Sequence, residues 1–96
     1  MPELGTGLFD DFPIDEYYKP GIVDARTLMR AGRWWRAAVL IRDPNTGLNF
    51  IQLYLWEKRD GVWKRRSAYS IRKRAQAKRL LDYLGEVLMQ IEESDA

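Results

Sequence analysis

Asp60-Gly61 constrains this chain more than any other pair of its residues. It separates two strand-like runs, LNFIQLYLWEKR and VWKRRSAYSI. Both central residues of a tight primed turn need positive φ, so Asp-Gly between such runs predicts an antiparallel hairpin. A further run, RWWRAAVLIRD, precedes Pro44-Asn45-Thr46-Gly47. There proline pre-sets one φ and glycine supplies a left-handed residue, as a longer hairpin loop requires. The runs are rich in Trp, Tyr, Phe, Val, Ile and Leu, which suit a half-buried pleated surface. The stretch from Gly32 to Ile71 therefore reads as an antiparallel sheet with Arg and Lys interleaved among its rings.

Alternation assigns faces. In the run 48–59, Ile51, Leu53 and Leu55 share one side, and Phe50, Gln52, Tyr54, Trp56 and Lys58 share the other. The aliphatic side is expected to be core, which leaves the aromatic side for function. A two-residue turn at Asp60-Gly61 pairs Arg59 with Val62, Lys58 with Trp63, Trp56 with Arg65, Tyr54 with Ser67 and Gln52 with Tyr69. That register puts Arg66 opposite Leu55, a poor fit. The run 33–42 is apolar on both sides, with Trp35, Ala37, Val39 and Ile41 on one and Trp34, Ala38 and Leu40 with Arg36 and Arg42 on the other. Such a strand belongs inside a sheet. Its register with 48–59 stays open, because a four-residue loop and a bulged loop present opposite faces. Residues 21–31 suit either a short helix capped by Asp24 and ended by Gly32, or a strand over Arg26 to Arg30 that bends at Gly32. The strand is preferred.

From about Arg72 to Glu93 the period changes. Ala77, Leu80, Leu81, Leu84, Val87, Leu88 and Ile91 recur at spacings of three and four, which predicts a helix with Ser70 as its N-cap. Gly85 in mid-helix costs about 1 kcal/mol relative to alanine and is either tolerated or, the preferred reading, a mark of close helix packing. The charges run against the helix dipole, with Arg72, Lys73 and Arg74 at the start and Glu92, Glu93 and Asp95 at the end. Each misplacement costs about 0.3–1 kcal/mol, so a basic cluster kept there suggests a binding role. The apolar stripe is wider than one small sheet needs, and a dimer through the helices would bury the surplus.

The first 20 residues have a different character. Glycine, proline and lack of periodicity predict a flexible arm, residues 1–20, joined to a domain at 21–96. The arm holds Glu3, Asp10, Asp11, Asp15 and Glu16 and no base before Lys19, although the whole chain has a net charge of +2. All 16 bases lie from Lys19 onward, and from Lys58 to Arg79 Asp60 is the one acid. This is an acidic arm on a basic body, and the basic body suggests a polyanionic partner. Phe9, Phe12, Ile14, Tyr17 and Tyr18 alternate with the arm's acids. The pattern suits either a segment that docks onto a basic, apolar groove, of another protein or of its own body, or a solubilising tail.

Several functions are excluded or disfavoured. The chain has no cysteine and no histidine. Thiolate metal sites, Ser-His and Cys-His catalysis and imidazole acid–base chemistry therefore have no residues to carry them. No phosphate loop, dinucleotide fingerprint or metal-ligand spacing appears. The expectation is a non-enzyme with no cofactor, no metal and no catalytic residue. No membrane-length apolar run or leader is visible, so a cytoplasmic protein is expected, with nucleoid association or a nuclear location as variants.

The sheet's rings and cations suit a single strand. Bases stack on aromatic rings while cations follow phosphates, with little sequence preference. The expected contacts are Arg33, Arg36, Arg42, Lys64, Arg65 and Arg66 to phosphate, and Phe50, Tyr54, Trp56 and Trp63 to bases. Two rivals remain. One is a protein-interaction module whose acidic aromatic arm and helix bind a protein partner. The other is a duplex binder using the helix start at Arg72–Arg79.

The order Gly32-Arg33, Arg42-Asp43, Ile51 to Trp56, Lys64 to Arg66, Tyr69-Ser70-Ile71 and then a helix resembles the single-stranded-DNA-binding domain of the transcriptional coactivator positive cofactor 4. The resemblance covers about residues 26–91. It implies an α+β fold, with a curved antiparallel sheet of three to four strands followed by one long C-terminal helix and a helix-mediated homodimer. It also implies single-stranded DNA, or RNA, as the partner, with Arg33, Arg42, Tyr54 or Trp56, and Lys64 with Arg66 lining the groove. Whirly and Pur-type binders share this logic. The chain departs from the family pattern at Arg72-Lys73-Arg74-Ala75-Gln76, where a proline-containing cap and a tryptophan are usual, and at PNTG, which replaces an aromatic-bearing loop.

Overall fold

The computed structural model describes residues 9–92. Four strands form one antiparallel sheet in chain order: β1 (Ile22–Ala31), β2 (Trp34–Arg42), β3 (Asn49–Arg59) and β4 (Val62–Ile71). One helix, α1 (Arg74–Val87), follows and ends in a 3-10 turn at Leu88–Gln90. The fold is α+β, as the change of period predicts. Among the described residues, no helix is long and apolar enough to cross a membrane.

The turns behave as their residues require. Asp60 and Gly61 have φ of 52° and 78°, the primed turn that Asp-Gly favours. Gly32 takes a φ of 56° and closes the β1–β2 turn. In the β2–β3 loop, Asp43 accepts a hydrogen bond from the Asn45 amide at 2.8 Å, and Gly47 is left-handed. The preferred strand reading of residues 24–31 is what forms.

Registers decide the faces. Arg42 pairs with Asn49, and Trp35, Ala37 and Ile41 pair with Trp56, Tyr54 and Phe50. The apolar side of β2 that carries Trp35 therefore joins the aromatic side of β3. Near the β3–β4 turn the expected pairs hold: Arg59/Val62, Lys58/Trp63 and Trp56/Arg65. A bulge then takes up Arg66, so Leu55 faces Ser67, Tyr54 faces Ala68 and Gln52 faces Ser70. The expected pairs Tyr54/Ser67 and Gln52/Tyr69 are thus replaced. The bulge removes the Arg66–Leu55 mismatch and turns Tyr69 to the aliphatic side.

The core lies on the aromatic side. Trp35, Ala37, Val39, Ile41, Phe50, Tyr54 and Trp56 are buried there with Ala25 of β1. Ile51, Leu53 and Leu55 are only half-buried, which reverses the expected inside and outside of β3. The cover is the arm. Ile14 is 4% exposed, and Phe9, Phe12 and Tyr18 pack against the core beside it. This part of the arm packs on the chain's own sheet, where its apolar side chains meet the rings of β2 and β3. The rest of the arm, 1–8, lies outside the described residues. Gly21 sits so close to β2 that a side chain there would collide with the Arg42 carbonyl.

The helix does not cover the sheet. None of its residues is buried, and Leu81, Leu84 and Leu88 are exposed. Ser70 is not its cap: β4 runs on through Ile71, and Ser70 donates instead to Gln52. The helix starts after an extended Lys73 with no side-chain cap. Arg72 is held outside it by Asp43 at 3.0 Å and lies over the Phe50 ring at 3.9 Å. Nothing lies within 4 Å of a side chain built at Gly85, so close packing is not its reason within this chain.

Candidate nucleic-acid interface

Both tight turns lie at one end of the sheet, because β2 begins opposite the end of β3. The Lys58 amide donates to the Arg33 carbonyl at 2.8 Å and ties the two turns together. Strand ends there bring Arg30, Arg33, Lys58, Arg59, Lys64 and Arg66 into one basic ledge. On the arm's side of the sheet, Trp63 is the half-exposed ring of this ledge. The Arg30 guanidinium lies 3.9 Å from the Trp35 ring centre and 5.3 Å from that of Trp63. The Lys58 ammonium lies 5.6 Å from Trp63. Trp63 also meets Trp35 edge-on at 5.4 Å. A cation within about 6 Å of a ring centre is attracted to its face, so the cluster holds itself in place without a ligand.

Around the edge, Glu57 organises three arginines. Its carboxylate is buried at the end of β3 and receives Arg33 at 3.2 Å, Arg66 at 3.2 Å and Arg59 at 3.9 Å. One anion among three guanidinium groups leaves excess positive charge and restricts each long side chain. Both features favour phosphate, since pre-positioned forks lose less entropy on binding.

The expected contact residues separate into three groups. Trp63, Lys64, Arg33 and Arg66 are gathered at the ledge. Phe50, Tyr54 and Trp56 are beneath the arm, with Tyr18 edge-on to Phe50 at 5.6 Å and Phe12 centred 6.5 Å from Trp56. Arg65 stands beside them, ion-paired to Asp15 at 3.0 Å rather than stacked on Trp56. Arg36 and Arg42 are exposed on the opposite face, away from the rings, because Trp35 and not its neighbours shares a side with Trp56. Arg42 donates to the Gly47 carbonyl at 2.8 Å.

Burial alters the chemistry of Tyr54. Its hydroxyl is pushed up to about 12, chiefly by desolvation and secondly by the charge of Asp15. Neither Tyr54 Oη nor Trp56 Nε1 has a hydrogen-bond partner among the described residues. Tyr54 and Trp56 stack nearly parallel, 4.9 Å apart at 15°.

Sequence reasoning missed Arg30, Trp35, Arg59 and Glu57 as site components. The Asp-Gly turn already paired Lys58 with Trp63, so that part was legible. Arg30 reaches Trp35 only because β1 bulges at Leu28, and no residue type announces that bulge. Comparison with protein-family models, curated proteins and solved structures finds no match for the chain.

Proposed function

We propose that this chain binds single-stranded nucleic acid, DNA by preference, with low sequence specificity, and acts in transcription, replication or repair. The observation that carries this reading is the ledge at the two tight turns. A half-exposed tryptophan stands there between Arg30 and Lys58, with Lys64 and the Glu57-centred arginines around the strand edge from it. A base stacked on Trp63 would place its phosphates near these cations, and stacking tolerates any base. The resemblance to the positive cofactor 4 domain points the same way, through Gly32-Arg33 and Lys64 to Arg66. The arm's apolar side chains are spent on its own sheet, which disfavours the reading of the arm as a hook for another protein.

The proposal includes a homodimer. The aliphatic side of the sheet and the helix stripe of Leu80, Leu84 and Leu88 are both left open in one chain. A second copy supplies a matching apolar surface to each. Charge order favours it too. Lys73, Arg74, Lys78 and Arg79 occupy the first half of the helix region, and Asp82 and Glu86 the second. Antiparallel pairing of two such helices sets bases against acids, and that offsets the unfavourable order along each helix dipole.

Titrating an oligothymidylate while following tryptophan fluorescence tests the reading. Binding is expected to weaken steeply with salt, because neutralised phosphates release counterions. Trp63→Ala should weaken it by roughly 1–3 kcal/mol with little change in salt slope. Absence of binding at low salt would defeat the proposal.

A further inference from the structure

Residues 9–18 cover the inner part of the ring-bearing face, and their chemistry is that of the strand proposed to bind there. Rings and anions alternate along them: Phe9, Asp10, Asp11, Phe12, Asp15, Glu16, Tyr17 and Tyr18. Phe12 packs against Trp35 with ring centres 5.1 Å apart and a tilt of 36°, and so occupies ring surface that a base would use. The Asp15 carboxylate takes the Arg65 guanidinium at 3.0 Å, as a phosphate oxygen would.

The way this segment is held differs from every other part of the sheet region. Strands are joined by backbone ladders. The turn and loop bonds of residues 9–21 are local, running from Phe12 to Phe9, Ile14 to Phe12, Tyr18 and Lys19 to Asp15, and Gly21 to Tyr18. Its attachment rests on side chains, chiefly Ile14, three rings and one ion pair. The fit is also chemically incomplete. Tyr54 Oη and Trp56 Nε1, on residues that are 1% and 0% exposed, find no partner beneath it among the described residues. A buried donor left without an acceptor is costly. A base edge or phosphate oxygen in the same place would provide one.

We propose that residues 9–18 are an intramolecular mimic of a nucleic acid strand, seated on the inner half of the binding face and displaced when a bound strand extends inward from the Trp63 ledge. The proposal rests on the reading of that face as a nucleic-acid platform. Displacement releases Arg65 from Asp15 and uncovers Trp35, Tyr54 and Trp56 for stacking. The closed segment lowers apparent affinity by the fraction of molecules in which the face is open. Short strands that need only the ledge escape this effect, and longer ones bear it.

The full-length chain contains no cysteine, so Asp15→Cys with Arg65→Cys gives two unique thiols. One sample is bridged by a short bis-maleimide, and the other has both thiols capped with N-ethylmaleimide. Both lack the same ion pair and differ only in whether the arm can leave. Oligothymidylate anisotropy is expected to show the capped form binding at least about tenfold tighter, the ratio set by the open fraction. Equal affinities overturn the mimic. Phe12→Ala, which changes no charge, should tighten binding severalfold, and weaker binding by this variant also overturns it. The two readings fail differently. An unmodified chain that does not bind at low salt defeats the platform itself, whereas one that binds equally when bridged and capped defeats only the mimic.

Discussion

Alternate residues of β3 meet opposite environments. Phe50, Gln52, Tyr54 and Trp56 are buried, whereas Ile51, Leu53 and Leu55 are half-buried although they carry no polar atom in their side chains. Apolar character alone would rank the two sides the other way. The difference lies in what each side has to cover it. The chain enters β1 through Gly21, pressed against the β2 backbone, and this sets residues 9–18 down on the aromatic side. On the other side the chain leaves β4 at Ile71, and α1 departs without burying a residue. Which side of a sheet becomes core is thus decided by where the flanking segments attach, and hydrophobicity decides only what is worth covering.

The largest expected effect tests that comparison directly. Trp35→Ala should cost about 3–5 kcal/mol in urea unfolding, as large-to-small changes in a packed core do. Leu53→Ala on the open side should cost clearly less in dilute protein. Equal losses at low concentration would mean that the open side is also sealed in solution, and would sharpen the comparison into one between arm and partner.

A change of intermediate size addresses that partner. Leu84→Glu puts a charge into the exposed helix stripe. If two copies pair there, the solution mass should fall from dimer to monomer, because an unpaired buried carboxylate is far costlier than an exposed one. A wild-type chain that is monomeric at high concentration would break the dimer proposal and leave the ledge intact.

The smallest effect lies under the arm. Tyr54 has a folded pKa near 12 against an ordinary value of 10.0. Its raised value means that the contribution is fully present below pH 10 and is lost as pH rises toward 12. Wild-type melting temperature should therefore fall across that range, and Tyr54→Phe should flatten the fall. At neutral pH the same variant removes an unpaired buried hydroxyl and should be neutral or stabilising by about 1 kcal/mol. An unchanged alkaline profile would show that Tyr54 is already in contact with water, and so that the covered side is not covered.

Local chemistry made much of this legible. Asp60-Gly61 dictated its turn, the alternation of β2 and β3 assigned side chains to faces, and the switch to a period of three to four marked the helix. The pairing of Lys58 with Trp63 followed from the turn alone, and with it one corner of the candidate interface. These features depend on φ preferences and on neighbours a few residues apart, which a linear chain displays. Three outcomes were set only by tertiary structure. The bulge at Arg66 moved Tyr69 and Ser70 across the sheet, since a strand edge relieves a mismatch wherever relief is cheapest. Glu57 drew three arginines together, two from the separate turns and one from the bulge of β4. The arm, and not the helix, took the aromatic face, because two amphipathic segments compete for one surface and the winner is chosen by chain entry and steric fit, quantities that no stretch of sequence contains by itself.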